Sequence, residues 1–259
     1  MTYDTPVAVS DYMDWARERV RVALTHGAPE RVVGVFVVSI DLVAAVEGRT
    51  AALTSEADRA LLRAWRETAD ALLVGTGTLT AELYAGSMMP EQARQTRVRR
   101  GQRRVPPILT IDRTGTLDLD AALRGDDPPP LVIYTGRGQA RVDKRADWVE
   151  LSDPTVSRVL SHARELLDAR VVVLEGGPLL MRAALEEGAI TDLSLTLTPR
   201  YIGSGPRLLA PRWEKAPVIE PLRPETVDDH VFIHYLIAPI RMDQREPQGG
   251  EGRLLRDSG

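Results

Sequence analysis

Four runs of this chain are apolar at almost every position: RVVGVFVVS (31–39), DALLVG (70–75), PLVIYT (130–135) and VVVLE (171–175). A strand that is apolar on both sides has to be covered on both sides. A mostly parallel sheet held between two layers of helix meets that condition. The intervening segments supply the helices. SEADRALLRAWRETA (55–69) has apolar residues at helical spacing, and Ser55 with Asp58 three residues on reads as an N-terminal cap pair. Further helices are predicted at 155–168 and 178–187, and further strands at 106–112, 192–198 and 230–238. The last two strands have no helix between them, which predicts an antiparallel C-terminal edge. The fold class is therefore α/β, with one mostly parallel central sheet flanked by helices.

A chain of 259 residues, 43% apolar and 27% charged, is long enough to bury a large core. It contains no cysteine, which excludes a disulfide framework, thiolate catalysis and a thiolate zinc site. The opening segment has no uninterrupted apolar stretch of the secretory kind, and Val32 to Ile40 is too short to cross a bilayer. A cytoplasmic protein without a membrane partner is expected. The net charge of -4 speaks against a general nucleic-acid binder. RQTRVRRGQRR (94–104) is the local exception, with six arginines and no acid, read either as a solvated loop or as a polyanion-binding segment. Residues 1–29 read as a helical extension, with a helix from Asp11 to Leu24 stopped by Gly27 and Pro29. Residues 30–240 form the sheet domain, and the polar stretch 241–259 reads as disordered.

Two strands end in paired glycines and then a helix: LLVGTGTLTAE (72–82) and VVVLEGGPLLMRAAL (171–185). In an open parallel sheet, ligands bind beyond the carboxyl ends of the strands. Glycine lets the backbone approach a pyrophosphate, and the first amides of a helix point unpaired N–H groups at it. Gly75, Thr76, Gly77, Thr78, Gly176 and Gly177 are thus candidate cofactor-binding residues, with a Cβ at Gly176 or Gly177 expected to hold the ligand off. GTGTLT lacks the third glycine of G-x-G-x-x-G, so each turn is also consistent with a plain strand end. Glu175 follows a buried strand and must either cap the next helix or face a ligand, since an unpaired buried carboxylate is costly. Ser39 and Asp41 lie just past the first strand, where the acid either orients or protonates a substrate or only fixes a turn. Arg59, Arg63 and Arg66 form a basic stripe whose default reading is solvation. His230 and His234 are about 13 Å apart along a strand, too far for one ion, and no metal site is predicted. YIGSGP (201–206) lacks the spacing of a serine-hydrolase elbow.

The segments VVSID, TSEADRALLRAWRETADALLVGTGTLTAE and VVVLEGGPLLMRAALEEGAITDLSLTLTPRYIGSG, in this order, resemble the RibD C-terminal family, the reductase domain of riboflavin biosynthesis, whose fold is similar to dihydrofolate reductase. The likeness covers about residues 31–238. It implies an NADPH-dependent, homodimeric reductase acting on the ribosyl group of a pyrimidine 5'-phosphate. By that resemblance Thr78 and Glu82 sit at the cofactor. The loop from Gly177 to Ala183, with Pro178, Leu179 and Leu180, wraps its pyrophosphate. Arg66, Glu175 and Thr50 meet the substrate, and Thr110 and Arg113 hold the adenosine 2'-phosphate. In such a reaction an acid, Asp41 or Glu175, is expected to stabilise the developing charge or to supply the proton.

The family pattern Ser-x-Asp-Gly reads SIDL here, so Leu42 stands where a glycine is usual and reshapes the substrate pocket. Glu82 replaces a usual aspartate, and no arginine follows it to grip a substrate phosphate. The sequence holds neither H-x-E nor P-C-x-x-C, the marks of the companion zinc deaminase. Three substrate classes remain open: the riboflavin pyrimidine, a dihydropterin, and an imine or carbonyl of a specialised pathway. A non-catalytic nucleotide-binding protein is the alternative from outside the enzymes.

Overall fold

A computed structural model of the chain describes residues 11–85, 88–141, 143–208 and 219–237. The segment 241–259, read above as disordered, lies outside these residues. The elements in chain order are α1 (Tyr12–Leu24), β1 (Arg31–Ser39), α2 (Glu56–Thr68), β2 (Ala71–Val74), α3 (Thr76–Ala81) and α4 (Glu91–Arg99). There follow β3 (Ile108–Ile111), α5 (Leu119–Ala122), β4 (Leu131–Thr135), β5 (Asp147–Glu150), α6 (Val156–Leu167) and β6 (Val171–Glu175). The chain then forms α7 (Pro178–Glu186), β7 (Asp192–Thr198), β8 (Ile219–Pro221), β9 (Glu225–Val227) and β10 (His230–Ile237).

All ten strands form one sheet, ordered β5-β4-β3-β2-β6-β1-β7-β10-β8, with β9 pairing the other end of β10. The pairs from β5 through β7 are parallel, and β10 runs antiparallel to β7, β8 and β9. The mostly parallel sheet and its antiparallel edge are as the periodicity predicts. The short strands β5, β8 and β9 escape it, because three or four residues with exposed positions carry no distinctive pattern.

The doubly apolar strands have the two-sided cover they need. Side chains of β1, β2 and β6 alternate between a core under α1 and α2, with Val33, Leu72 and Val173, and a core under α6 and α7, with Val32, Leu73 and Leu174. Ser55 caps α2 by accepting the amide of Asp58 at 3.1 Å, as its spacing predicts. Helix α1 is packed on α2 through Ala16, Val20 and Ala23. Its Trp15 meets Phe232 of β10 edge-on, with ring centroids 4.8 Å apart.

β7 behaves differently. Leu193, Leu195 and Leu197 face the α6/α7 side, while Asp192, Ser194, Thr196 and Thr198 alternate with them and are all buried. This polar stripe faces α2, whose Trp65 donates to Ser194 Oγ at 3.1 Å. Asp192 is held between Arg31 at 2.6 Å and His234 at 2.9 Å.

The arginine-rich stretch 94–104 departs from the solvated-loop reading. Residues 91–99 form α4, and Arg94 and Arg97 are buried. Arg97 is fully enclosed, and its Nη1 donates to the carbonyls of Arg66, Glu67 and Ala69 at 3.1, 3.1 and 2.5 Å. The last carbonyls of α2 have no partner within their own helix, and a guanidinium placed beyond the helix end satisfies them. Burial pulls the Arg97 pKa down to about 10, which leaves it charged at neutral pH. Replacing Arg97 by Ala is expected to strand these buried carbonyls and to lower stability by about 2–4 kcal/mol. Urea unfolding would read this as a lower midpoint at unchanged slope; an unchanged midpoint would contradict the capping role.

Candidate active site

The two glycine turns meet. β2 and β6 are neighbours with Val74 opposite Glu175, so both turns leave the same edge of the sheet side by side. The amide of Gly177 donates to Thr78 Oγ1 at 2.9 Å. Gly176 has φ +123°, and a Cβ there would lie 2.7 Å from Thr78 Oγ1 and 2.9 Å from Thr78 Cβ. The glycine at 176 is thus demanded by the facing turn and by its own backbone, rather than by a ligand. At Gly177 a Cβ would meet Thr78 Oγ1 only at 3.7 Å, an ordinary contact. The Gly177 amide is thereby spent within the protein, while the Thr78 hydroxyl only accepts in this contact and keeps its proton to donate.

What stays open is next to that contact. In α3 the first amide to find a helical partner is that of Leu79, which donates to Gly75 O at 2.9 Å. The amides of Thr76, Gly77 and Thr78 therefore have no acceptor among the described residues, and a Cβ at Gly77 would stand in open space. In α7, Pro178 has no N–H, and Leu180 and Met181 donate to Gly177 O at 3.1 and 3.2 Å. The Leu179 amide is left over, beneath a side chain that is 83% exposed. Leu180 packs against the first turn, with its Cβ 3.8 Å from where a Cβ of Gly75 would lie. These open amides form a corner suited to an anion.

Glu175 neither caps α7 nor stands free. Arg66 of α2 grips it at both oxygens, at 2.8 and 2.5 Å, and Tyr84 donates to it at 3.3 Å. Burial works against the Arg66 charge, but the Glu175 carboxylate outweighs it and raises the Arg66 pKa. Burial, and then the charge of Glu175, push the Tyr84 pKa well up, so the phenol keeps its proton. A carboxylate held in such a two-point pair accepts hydrogen bonds and is poorly placed to donate a proton. The basic stripe is thus divided: Arg59 and Arg63 are exposed, while Arg66 points inward. Tyr84 carried no signal in the sequence. Glu82 and Thr50, expected at the cofactor and at the substrate, are bonded to each other: Glu82 Oε1 accepts from Thr50 N at 3.2 Å and Thr50 Oγ1 at 3.3 Å.

Of the two readings of Asp41, the geometry supports the turn. Its carboxylate accepts from Ser39 Oγ at 2.7 Å and from the amides of Ile202 and Gly203 at 3.1 and 2.9 Å. The Ser39 hydroxyl lowers its pKa most, and against partial desolvation the two amides add to that, bringing it to about 2. It has no proton to give near neutrality, which corrects its assignment as an acid. Leu42, next in the turn, has φ +64°. A left-handed conformation costs a non-glycine residue on the order of 1–2 kcal/mol. The clamp on Asp41, together with the bond from Leu42 N to Ser39 O at 2.9 Å, holds it there. Leu42 is 37% exposed, and the turn at 200–203 is tied to the end of β1 by Ile40 N donating to Arg200 O at 3.0 Å.

Thr110 cannot meet an adenosine phosphate. It is fully buried, and its hydroxyl donates to Val74 O at 2.7 Å, bracing β3 against β2. Arg113 is exposed at the carboxyl end of β3, and its carbonyl accepts from Gly136 in the loop after β4 at 3.4 Å. That loop adds exposed Arg137, and the buried Thr135 hydroxyl before it has no hydrogen-bond partner among the described residues. A nicotinamide dinucleotide fits this edge. It would be held by the open amides of the glycine turns, with Arg113, Arg137 and the orphan hydroxyl toward its far end.

The profile of a family described as the RibD C-terminal domain matches residues 31–228. The riboflavin biosynthesis protein RibD of Mycobacterium tuberculosis is 32% identical over 205 residues, 76% of this chain and 48% of that protein. The chain thus spans about half the length of the curated relatives it matches. Among solved structures, a pyrimidine reductase-like protein from Corynebacterium diphtheriae has a TM-score of 0.65 at 17% identity, over 81% of this chain and 92% of that one. A diaminohydroxyphosphoribosylaminopyrimidine deaminase/5-amino-6-(5-phosphoribosylamino)uracil reductase from Thermotoga maritima has a TM-score of 0.63 at 19% identity, over 81% of this chain and 57% of that one. These structures share the fold, and the match in sequence settles kinship: the chain belongs to the RibD C-terminal domain family.

Proposed function

We propose that this chain is an NADPH-dependent reductase that reduces the ribosyl C=N or C=O carbon of a pyrimidine ribosylamine 5'-phosphate, working as a homodimer. The family supports the reaction class. The observation that carries the cofactor is the meeting of two glycine turns with unpaired amides at the carboxyl ends of β2 and β6. When bound, the dinucleotide supplies the hydride. The residues of the chain supply position and charge. Amides of Thr76, Gly77, Thr78 and Leu179 hold the pyrophosphate, while Arg113 and Arg137 meet the 2'-phosphate. The Arg66–Glu175–Tyr84 cluster lines the substrate side, with Thr50 and Glu82 tying the segment before α2 to the end of α3.

A specialised imine or carbonyl substrate is the second reading. Leu42, exposed and held at φ +64° where the family pattern has glycine, supports a substrate with an apolar substituent at that position. NADPH consumption followed by absorbance, with the pyrimidine phosphate and dihydrofolate in parallel, separates these readings. Oxidation with the pyrimidine supports the first, and oxidation with neither supports the second.

The glycines separate fold from ligand. Gly77→Val projects into open space and should leave thermal unfolding nearly unchanged while weakening NADPH binding at least tenfold. Gly176→Ala must enter both a left-handed conformation and the Thr78 side chain, and should lower stability by about 2 kcal/mol or more. Fluorescence titration with NADPH and calorimetry of both variants check this, and intact NADPH affinity in Gly77→Val would remove the cradle. Arg113→Ala and Arg137→Ala should each narrow the preference for NADPH over NADH on the order of tenfold, as loss of a charged phosphate contact does. A preference unmoved in both would place the 2'-phosphate elsewhere.

A further inference from the structure

The loops that carry Arg113 and Arg137 leave neighbouring strands, β3 and β4, and each is held by an acid of the chain. In the first, Asp112 is buried and accepts from Leu117 N at 2.7 Å and from Thr114 Oγ1 at 3.2 Å. In the second, Glu150 accepts from the amides of Gly138 and Ala140 at 3.1 and 3.2 Å. Glu150 is not part of that loop. It ends the edge strand β5, pairs there with Thr135 at the end of β4, and reaches across to the loop that follows. The two loops are also fitted to each other. Gly136 N donates to Arg113 O at 3.4 Å, and a Cβ at Gly115 would lie 2.3 Å from Gln139 O.

The amides of Gly138 and Ala140 are taken by Glu150, so what this loop offers a phosphate is the side chain of Arg137. That side chain is exposed and, like that of Arg113, carries no ion pair among the described residues. A cation on a long side chain grips an anion best when the backbone beneath it is already held, because any ordering on binding is subtracted from affinity. Glu150 supplies that order in advance.

We infer that Glu150 is a positioning residue for coenzyme choice: by holding the 136–140 loop against the 113–115 loop, it lets Arg137 and Arg113 meet the 2'-phosphate of NADPH together. The inference rests on the reading above that these two arginines meet that phosphate. Glu150 acts through the loop and does not touch the coenzyme. NADH has a hydroxyl in place of the phosphate and draws nothing from either arginine, so a loop out of place weakens NADPH and leaves NADH as it was. Both bonds from the loop end on one oxygen, Oε1. A glutamine keeps one carbonyl oxygen and can accept both, whereas an alanine accepts neither.

The test is fluorescence titration of the full chain with NADPH and with NADH. It compares wild type with Glu150→Gln, Glu150→Ala, Arg113→Ala, Arg137→Ala and the double variant of Glu150→Ala with Arg137→Ala. Glu150 is exposed, so its variants should unfold thermally near wild type. Should Glu150→Ala be unstable, Glu150→Thr, too short to reach the loop but suited to a strand, replaces it. Glu150→Ala should weaken NADPH binding by about fivefold to tenfold and leave NADH within about twofold. Glu150→Gln should keep both coenzymes within about twofold of wild type. In the double variant the loss should be smaller than the product of the single losses, because both residues act through one contact. Equal weakening of NADPH and NADH by Glu150→Ala would make Glu150 a support of the sheet edge alone and overturn the inference. Glu150→Gln behaving like the alanine variant, or losses that multiply, would overturn it as well. If Arg137→Ala narrows the coenzyme preference and Glu150→Ala does not, the positioning role fails while the phosphate reading stands. If neither Arg113→Ala nor Arg137→Ala moves the preference, the phosphate reading fails and takes the inference with it.

Discussion

The ion pair between Arg66 and Glu175 joins the two halves of the cleft. Two buried charges are tolerated only when each satisfies the other, and removal of either would leave an uncompensated charge that typically costs about 3–5 kcal/mol. The pair therefore fixes α2 over the end of β6, and α2 in turn leads through β2 into the first glycine turn. Arg97 secures the same end of that helix by closing its last carbonyls, that of Arg66 among them. The distance between the two glycine turns follows from where α2 is held.

The turns add a second constraint of the same kind. Thr78 satisfies the Gly177 amide, and Gly176 has no room for a side chain, so the two turns are fitted to each other without a ligand. The groups left for an anion are the ones this contact cannot use: the first amides of α3, the amide of Leu179 and the proton of the Thr78 hydroxyl. A preformed site of this sort avoids the ordering cost that a flexible loop would incur on binding. The strained Leu42 belongs to the same edge, and the hydrogen bonds on Asp41 keep it in a conformation that glycine would adopt freely.

How far the chain could be read in advance depends on the range of the forces involved. The strands around 31–39, 71–74, 131–135 and 171–175 and the helices around 56–68 and 156–167 were legible, because apolar periodicity records which faces are covered. The stripe on β7 was legible only as a strand, since the alternation DLSLTLT does not say whether its polar side meets water or a helix. The arginines at 94 and 97 were read as solvated because charge runs usually are. Nothing local indicates that the open end of α2 lies beside them. Thr110 carried the right residue type near the end of a strand, yet a carbonyl of the adjacent strand took its hydroxyl.

Periodicity, glycine placement and the order of segments were sufficient to establish the class of fold, the position of both turns and the family. They act over a few residues, where backbone sterics and burial leave a pattern in the chain. The partners of Glu175, Asp41 and Thr78 were settled in three dimensions. Arg66 and Glu175 are 109 positions apart, Thr78 and Gly177 are 99, and Asp41 and Gly203 are 162. A polar side chain at a strand end has the same identity whether it meets ligand, water or another residue, and only packing decides which of these is within hydrogen-bond reach.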